Sequence, residues 1–149
     1  MSEYVVSLSW QLGEREFAPG KYSPTHTAAF SPHTELTMSA APEYGGDQAY
    51  ANPEQTLAVA LSSCHMMTFL ALAAKMKWQL TSYSDRAVAT LGKLPDGRVR
   101  IAAIELNPSV TFAEGAAVDP DGLRQMHDRA HRYCFVANSL DVEMTVNIG

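Results

Sequence analysis

Two cysteines are the only thiols in the chain, and each lies in a distinctive local sequence. Cys64 lies in a nearly all-apolar stretch that predicts a helix. Cys134 lies seventy residues later, where an amphipathic helix gives way to the last strand. A thiolate is a nucleophile, and its oxidation is reversible when a second thiol can close a disulfide with it. The two residues therefore suggest redox chemistry, provided that folding brings the sulfurs together.

Other interpretations of these residues stay open at this point. Cys64 is in the middle of its predicted helix, where the helix dipole gives it little help, so it could simply be a small core residue. The adjacent His65 points about 100° away around the helix and is a weak partner for the thiol. His131 and Cys134 are spaced i, i+3 and could hold zinc together with Cys64, although the paired ligand spacing typical of zinc sites is missing.

The composition is typical of a globular protein and excludes several classes of function. With 149 residues and 46% hydrophobic content, we expect a single domain over residues 1–149 with its own core. A net charge of −5 argues against a nucleic-acid partner. The first ten residues contain no secretory pattern, and polar side chains interrupt the most apolar stretch, residues 57–76, so no membrane span is expected. We therefore expect a cytoplasmic protein with free thiols.

The order of predicted elements indicates an α+β domain. The first fifty residues favour short strands, at residues 4–10, 27–30 and 35–39. A long helix follows, from an Asn52 cap to about Met76, with Pro53 in its first position and Gln55 able to complete a capping box.

The second half of the chain continues this α+β pattern. The Pro-Asp-Gly turn predicts a β-hairpin with arms at residues 80–91 and 98–112. A second helix is predicted from Asp119 to Tyr133, and the alternating tail, residues 141–148, predicts a last strand. We expect a mostly antiparallel sheet packed on a long central helix. Because that helix is apolar on more than one face, a second copy of the chain is expected to cover it, giving a homodimer.

Two motifs of the chain resemble those of the OsmC/Ohr family of thiol peroxidases. The first is NPEQTLAVALSSCHMMTFLALAAK, at residues 52–75, in which a cysteine follows the Glu54 of a helix-opening NPEQ by ten residues. The second is CFVANSL, at residues 134–140. The resemblance implies the OsmC-like α+β fold, an intertwined homodimer and active sites at the dimer interface.

The resemblance also implies a role for each site residue. Cys64 would be the thiolate that attacks the peroxide and becomes a sulfenic acid, and Cys134 would close a disulfide with it that an external dithiol reduces. Glu54 would orient an activating arginine. The substrate would be an organic hydroperoxide whose apolar tail lies against residues such as Met66, Met67, Phe69 or Phe135, and the enzyme would need no metal or organic cofactor.

The activating arginine is where the chain departs from the family pattern. In the family it lies in the N-terminal β-hairpin, and the corresponding stretch here, approximately residues 21–26, has none. Lys21, His26 or Arg15 is expected to take its place, although lysine lacks the bidentate fork of arginine. The alternative function is a redox-sensing or small-molecule-binding dimer without enzymatic turnover.

Overall fold

The computed structural model describes residues 1–148, which form two compact units, residues 1–56 and residues 57–148. The first unit contains one antiparallel sheet in the order β1-β2-β3, followed by a short 3₁₀ turn at Pro42–Tyr44; its strands are β1 Ser7–Ser9, β2 His26–Ser31 and β3 Thr34–Met38. These strands lie where the sequence predicts them, although β1 is shorter than expected. The expectation of one domain over the whole chain stays a prediction.

The long helix α1, Pro53–Lys75, begins with the predicted capping box. The Gln55 N–H donates to Asn52 Oδ1 over 2.9 Å, and the Asn52 N–H donates to Gln55 Oε1 over 3.0 Å. Two backbone donors that the helix leaves unpaired at its start are thereby satisfied. This reciprocal pair explains why the sequence predicted the start of α1 to the residue.

One stripe of α1 is buried, and it follows helical spacing: Ala58, Leu61, His65, Phe69 and Ala73. Other apolar side chains of the helix, such as Val59 and Met67, are exposed in the single chain. By length and composition alone α1 meets the criterion for a membrane span, as core helices of soluble proteins also do. Polar Ser62 and His65 within it are hydrogen-bonded to Asp85 and His127, which favours packing inside the second unit.

The hairpin that follows α1 is broken into two ladders. Strand β4, Leu80–Asp85, pairs with β7, Pro108–Phe112, and β5, Val88–Lys93, pairs with β6, Val99–Leu106. The two uninterrupted arms expected from the sequence are therefore wrong in this detail.

The break in the hairpin is at Asn107. Its N–H donates to Asp85 Oδ1 over 2.6 Å and its side-chain amide to the Arg86 carbonyl over 2.9 Å. Pro108, which has no N–H to give to a ladder, follows directly. The side chains of Asp85 and Asn107 thus bond backbone groups at the bend in place of a neighbouring strand.

The second helix α2, Pro120–Tyr133, and the last strand β8, Glu143–Val146, complete the second unit. Asp119 caps α2 by accepting the Gly122 N–H over 2.6 Å. Strand β8 pairs with β6 in parallel and completes a sheet of the order β5-β6-β8. The other strand pairs are antiparallel. The predicted α+β architecture of long helix and mostly antiparallel sheet is confirmed.

The core of the second unit has two clusters that share α1. One joins α1 to β6 and the end of α2 through Leu61, Ile104, Leu106 and Cys134. The other joins α1 to α2; its buried members are Phe69, Ala73, Met126 and Ala130. Tyr133, the last residue of α2, is 54% exposed, whereas the next residue, Cys134, is buried.

Candidate active site

The two cysteines, called here the thiol pair, meet inside the second unit. Cys64 is half-buried near the middle of α1, and Cys134 is completely buried at the residue that follows α2. Both thiols are free, and Cys64 packs against the buried cluster that contains Cys134, close enough for each thiol to shift the pKa of the other. The prediction that folding unites two sulfurs seventy residues apart is therefore confirmed.

Cys64 is surrounded by hydrogen-bond donors. Burial raises the pKa of its thiol, but the nearby backbone N–H groups of Val136 and Phe135 and the side chains of Cys134 and Thr68 outweigh it. The net pKa of Cys64 lies below the ordinary thiol value. Donors favour the anion because they supply the partial positive charge that water would otherwise give. Cys64 is therefore the more acidic, and at neutral pH the more nucleophilic, of the two thiols.

Cys134 is shifted in the opposite direction. Burial, together with its hydrogen bond to Cys64 and the charge that Cys64 acquires, raises the pKa of the Cys134 thiol to about 11. The Ala137 N–H, 3.4 Å from the Cys134 sulfur, opposes this rise without cancelling it. Cys134 consequently keeps its proton at neutral pH and serves as donor, while Cys64 serves as acceptor.

The donors exist because α2 ends at Tyr133. Cys134 has extended backbone angles, φ −72° and ψ 118°, so the helical ladder stops and the next N–H groups are released from it. The chain then closes into a 3₁₀ turn, Ala137–Ser139, in which the Asn138 N–H returns to the Cys134 carbonyl over 3.0 Å. Between these points the N–H groups of residues 135–137 face the two sulfurs.

The apolar residues expected near the substrate are in three different environments. Phe135 is 82% exposed and Met67 is 58% exposed, so both are accessible to a ligand in the single chain. Met66 is half-buried. Phe69, also considered as an apolar contact, is completely buried against Trp78, Tyr83 and His127 and is a core residue.

The proposed activating residues belong to the first unit. Glu54 is half-buried in the first turn of α1, and Arg15 and Lys21 are exposed. Arg15 lines a cleft of about 480 Å³ in this unit with Gly45 and Asp47. His26 Nδ1 lies 2.7 Å from the Pro24 carbonyl oxygen, and this bond sets its tautomer with Nε2 as an acceptor. The activating roles of these four residues stay predictions.

The zinc alternative lacks a set of ligands in residues 1–148, where no three His, Cys, Asp or Glu side chains are grouped to hold a metal ion. Cys134 lies beyond the end of α2, so the helix face that it was expected to share with His131 does not extend to it. His131 meets Cys134 through its backbone, whose carbonyl accepts the Cys134 N–H over 3.4 Å.

Sequence reasoning missed a second polar contact between the same two helices. His65 Nε2 and His127 Nδ1 are 3.0 Å apart, and both side chains are buried. A signal was available, since His127 follows Leu123 by four residues and precedes Ala130 by three, which places it on the buried face of α2. The sequence likewise gave no sign of the backbone donors after Cys134.

Comparisons with known proteins agree with the fold and the order of motifs. Residues 45–149 match the family model described as OsmC-like protein. Over the full length of both chains, the fold is similar to that of an OsmC-like protein of unknown function from Vibrio cholerae O1 biovar eltor, with 34% sequence identity and a TM-score of 0.92.

More distant solved structures share the fold. An organic hydroperoxide resistance protein OsmC from Legionella pneumophila is 17% identical, with a TM-score of 0.69 over 99% of this chain and 100% of that one. An organic hydroperoxide resistance protein from Elizabethkingia anophelis is also 17% identical, with a TM-score of 0.72 over 99% of each chain. No curated protein matches the sequence.

Proposed function

This chain belongs to the OsmC-like protein family, and from that premise we propose that it is a thiol peroxidase that reduces organic hydroperoxides. Solved relatives of the same fold described as organic hydroperoxide resistance proteins support a peroxide-related role. The single observation that carries the proposal is that the two thiols meet in one core cluster, and the lowered pKa of Cys64 beside the raised pKa of Cys134 fits the two roles.

In the proposed first step the Cys64 thiolate attacks the outer oxygen of the hydroperoxide. The O–O bond breaks, Cys64 becomes a sulfenic acid, and the alkoxide leaves as the alcohol after taking up a proton. The sulfur is oxidised by two electrons and the peroxide is reduced by two. The Val136 and Phe135 N–H groups lower the pKa of Cys64 and so increase the fraction of the nucleophile that is ionised.

In the second step Cys134 condenses with the sulfenic acid. Its sulfur attacks the Cys64 sulfur, a disulfide forms, and hydroxide leaves with the proton of Cys134 as water. The packing of the two side chains in one cluster keeps Cys134 beside the oxidised Cys64. The charge of Cys64 that helps to raise the pKa of Cys134 is absent in the sulfenic acid, which favours loss of the Cys134 proton in this step.

An external dithiol completes the cycle, reducing the disulfide through a mixed disulfide and becoming oxidised itself. The chain acts as a cytoplasmic homodimer, with the exposed apolar face of α1 covered by a second copy. Lys21 or Arg15 supplies positive charge near the peroxide, or His26 a polar contact, positioned by Glu54, and Met67 and Phe135 contact its apolar part. These assignments rest on the family resemblance.

The test is stopped-flow oxidation by cumene hydroperoxide and by H₂O₂, in wild type and in two matched variants. Cys64→Ser should abolish peroxide consumption. Cys134→Ser should consume one equivalent at a rate near that of wild type and then stall, with a sulfenic acid trapped by dimedone. Peroxide consumption that survives in Cys64→Ser would overturn the assignment of the two roles.

A redox-sensing dimer is the second candidate, and one observation favours it. The groups that lower the pKa of Cys64 are neutral donors, whose effect on a thiolate is smaller than that of an adjacent arginine. If wild-type oxidation takes many minutes with both peroxides but still ends in the Cys64–Cys134 disulfide, the sensor is the better description.

A further inference from the structure

The buried contact between His65 and His127, called here the histidine pair, plays no part in the chemistry described so far. His65 is completely buried on α1 and His127 is 1% exposed on α2. Their nitrogens are 3.0 Å apart and their rings are parallel to within 2°. The contact therefore joins the two helices whose cysteines must meet.

The histidine pair is not an obvious device for stability. His65 Nδ1 and the hydroxyl of Tyr83 have no hydrogen-bond partner in residues 1–148, although both atoms are buried. An unpaired buried polar atom costs about 1–3 kcal/mol, and two apolar side chains of similar shape would avoid that cost. The tautomer in which His65 Nε2 donates to His127 Nδ1 leaves a lone pair unpaired on His65, which is cheaper than leaving an N–H unpaired.

What the histidine pair does provide is a directional constraint beside the thiol pair. His65 is the residue after Cys64, about 1.5 Å further along the axis of α1. His127 precedes Cys134 by seven residues, which is two turns, or about 10 Å, of α2. On the other side of Cys64, Ser62 donates to Asp85 at the end of β4. Cys64 thus lies between two polar contacts that hold α1 against different elements.

We propose that the His65–His127 hydrogen bond is a positioning contact for the disulfide: it sets how far α1 and α2 can slide past each other and hence whether the Cys64 and Cys134 sulfurs are aligned to bond. A hydrogen bond of 3.0 Å weakens steeply when its angle changes, so this contact adds a directional constraint to the apolar packing of the two helices. Disulfide closure in turn demands narrow distances and dihedral angles. The role of this contact in turnover rests on the proposed function.

The test measures closure of the disulfide without any peroxide. Reduced protein is equilibrated with glutathione buffers, in which one oxidised glutathione and the dithiol give the protein disulfide and two reduced glutathiones. Alkylation of the remaining thiols and mass spectrometry then give the effective concentration of one thiol toward the other. Failure of the peroxidase proposal would appear in the peroxide assay and would leave this measurement unaffected.

Two nearly isosteric variants separate the hydrogen bond from packing. His127→Asn keeps an acceptor near the position of Nδ1, and His127→Leu removes it. We expect the effective concentration to fall at least tenfold in His127→Leu, equivalent to about 30 mV, and to stay within threefold of wild type in His127→Asn. Leu123→Ala, which weakens the same cluster without touching the bond, should also stay within threefold.

The double variant His65→Leu/His127→Leu covers the case in which His127→Leu does not fold. It replaces both polar partners, so no buried nitrogen is left without a hydrogen bond. It should fold and still lose at least tenfold in effective concentration. The proposal is overturned if the double variant keeps the wild-type value, if His127→Asn falls as far as His127→Leu, or if Leu123→Ala does.

Discussion

Helices α1 and α2 bring two pairs of titratable side chains together, and the two contacts have opposite electrostatic character. At the thiol pair, donors lower the pKa of Cys64 and favour an anion. At the histidine pair, burial and the charges of neighbouring histidines lower the pKa of His65 to about 4, and burial lowers that of His127 to about 4, although Asp85 opposes both shifts. At neutral pH the first contact favours a charge and the second excludes one.

The difference follows from where each contact lies on α2. His127 is in the body of the helix, where each N–H is engaged with the carbonyl four residues earlier. Cys134 lies just past the end, where the following N–H groups are released and face sulfur. The same two helices therefore build a reactive contact at a helix end and an inert one within the helix.

Acid should affect the histidine pair most. Both pKa values lie below the ordinary 6.5, so the unfolded chain binds more protons between pH 6.5 and about 4. The stabilisation is fully present above pH 6.5 and is lost as the pH falls towards 4, by on the order of 3 kcal/mol for each histidine. Urea unfolding at pH 7.5, 5.5 and 4.5 measures it. The loss should be much smaller in His65→Leu/His127→Leu, and an equal loss there would assign the acid sensitivity elsewhere.

A smaller effect is expected from removing one histidine at neutral pH. His127→Leu leaves both nitrogens of His65 without a protein partner, which should lower the free energy of unfolding by about 2 kcal/mol. The double leucine variant should be close to wild type, because two apolar groups replace a costly polar pair. Chemical denaturation at pH 7.5 gives both values. Additive losses in the double variant would contradict the account of an unpaired buried nitrogen.

Removing one backbone donor at the thiol pair should raise the pKa of Cys64 by about one unit. A hydrogen bond to an anion contributes about 1.5–3 kcal/mol, and about 1.36 kcal/mol corresponds to one pKa unit. Val136→Pro removes the N–H, and the φ of −66° at this position suits proline. Thiolate absorbance against pH measures the shift, with Val136→Ala as the control that keeps the N–H. Equal titration of the two variants would show that the amide does not stabilise the anion.

The smallest shift is expected from Thr68→Val. The Thr68 hydroxyl donates its proton to the Cys64 carbonyl over 2.8 Å, and Thr68 contributes least among the neighbours that lower the pKa of Cys64. Because that proton is not directed at the sulfur, its removal should raise the pKa by at most about half a unit. The same absorbance titration applies, and Thr68→Ser, which keeps the hydroxyl, should titrate like wild type. A shift larger than that of Val136→Pro would reverse the ranking of the donors.

Local chemistry made much of the fold predictable. The start of α1 depends on Asn52, Pro53 and Gln55, which are neighbours in sequence, and α2 begins at its Asp119 cap. The bend of the hairpin was missed because it depends on a contact between Asp85 and Asn107, twenty-two residues apart. A residue's partner across such a distance is not encoded in any local pattern.

For the site, the sequence by itself determined which side chains could react: two thiols, one on a long apolar helix and one past the end of an amphipathic one. It could not determine their acidities, since those depend on burial and on donors from residues remote from Cys64. Only the tertiary structure directed the amides after α2 at Cys64 and placed His127 against His65. The physical reason is that neighbours in sequence determine local conformation, whereas pKa values and the distance between two sulfurs depend on the groups that the folded chain places next to them.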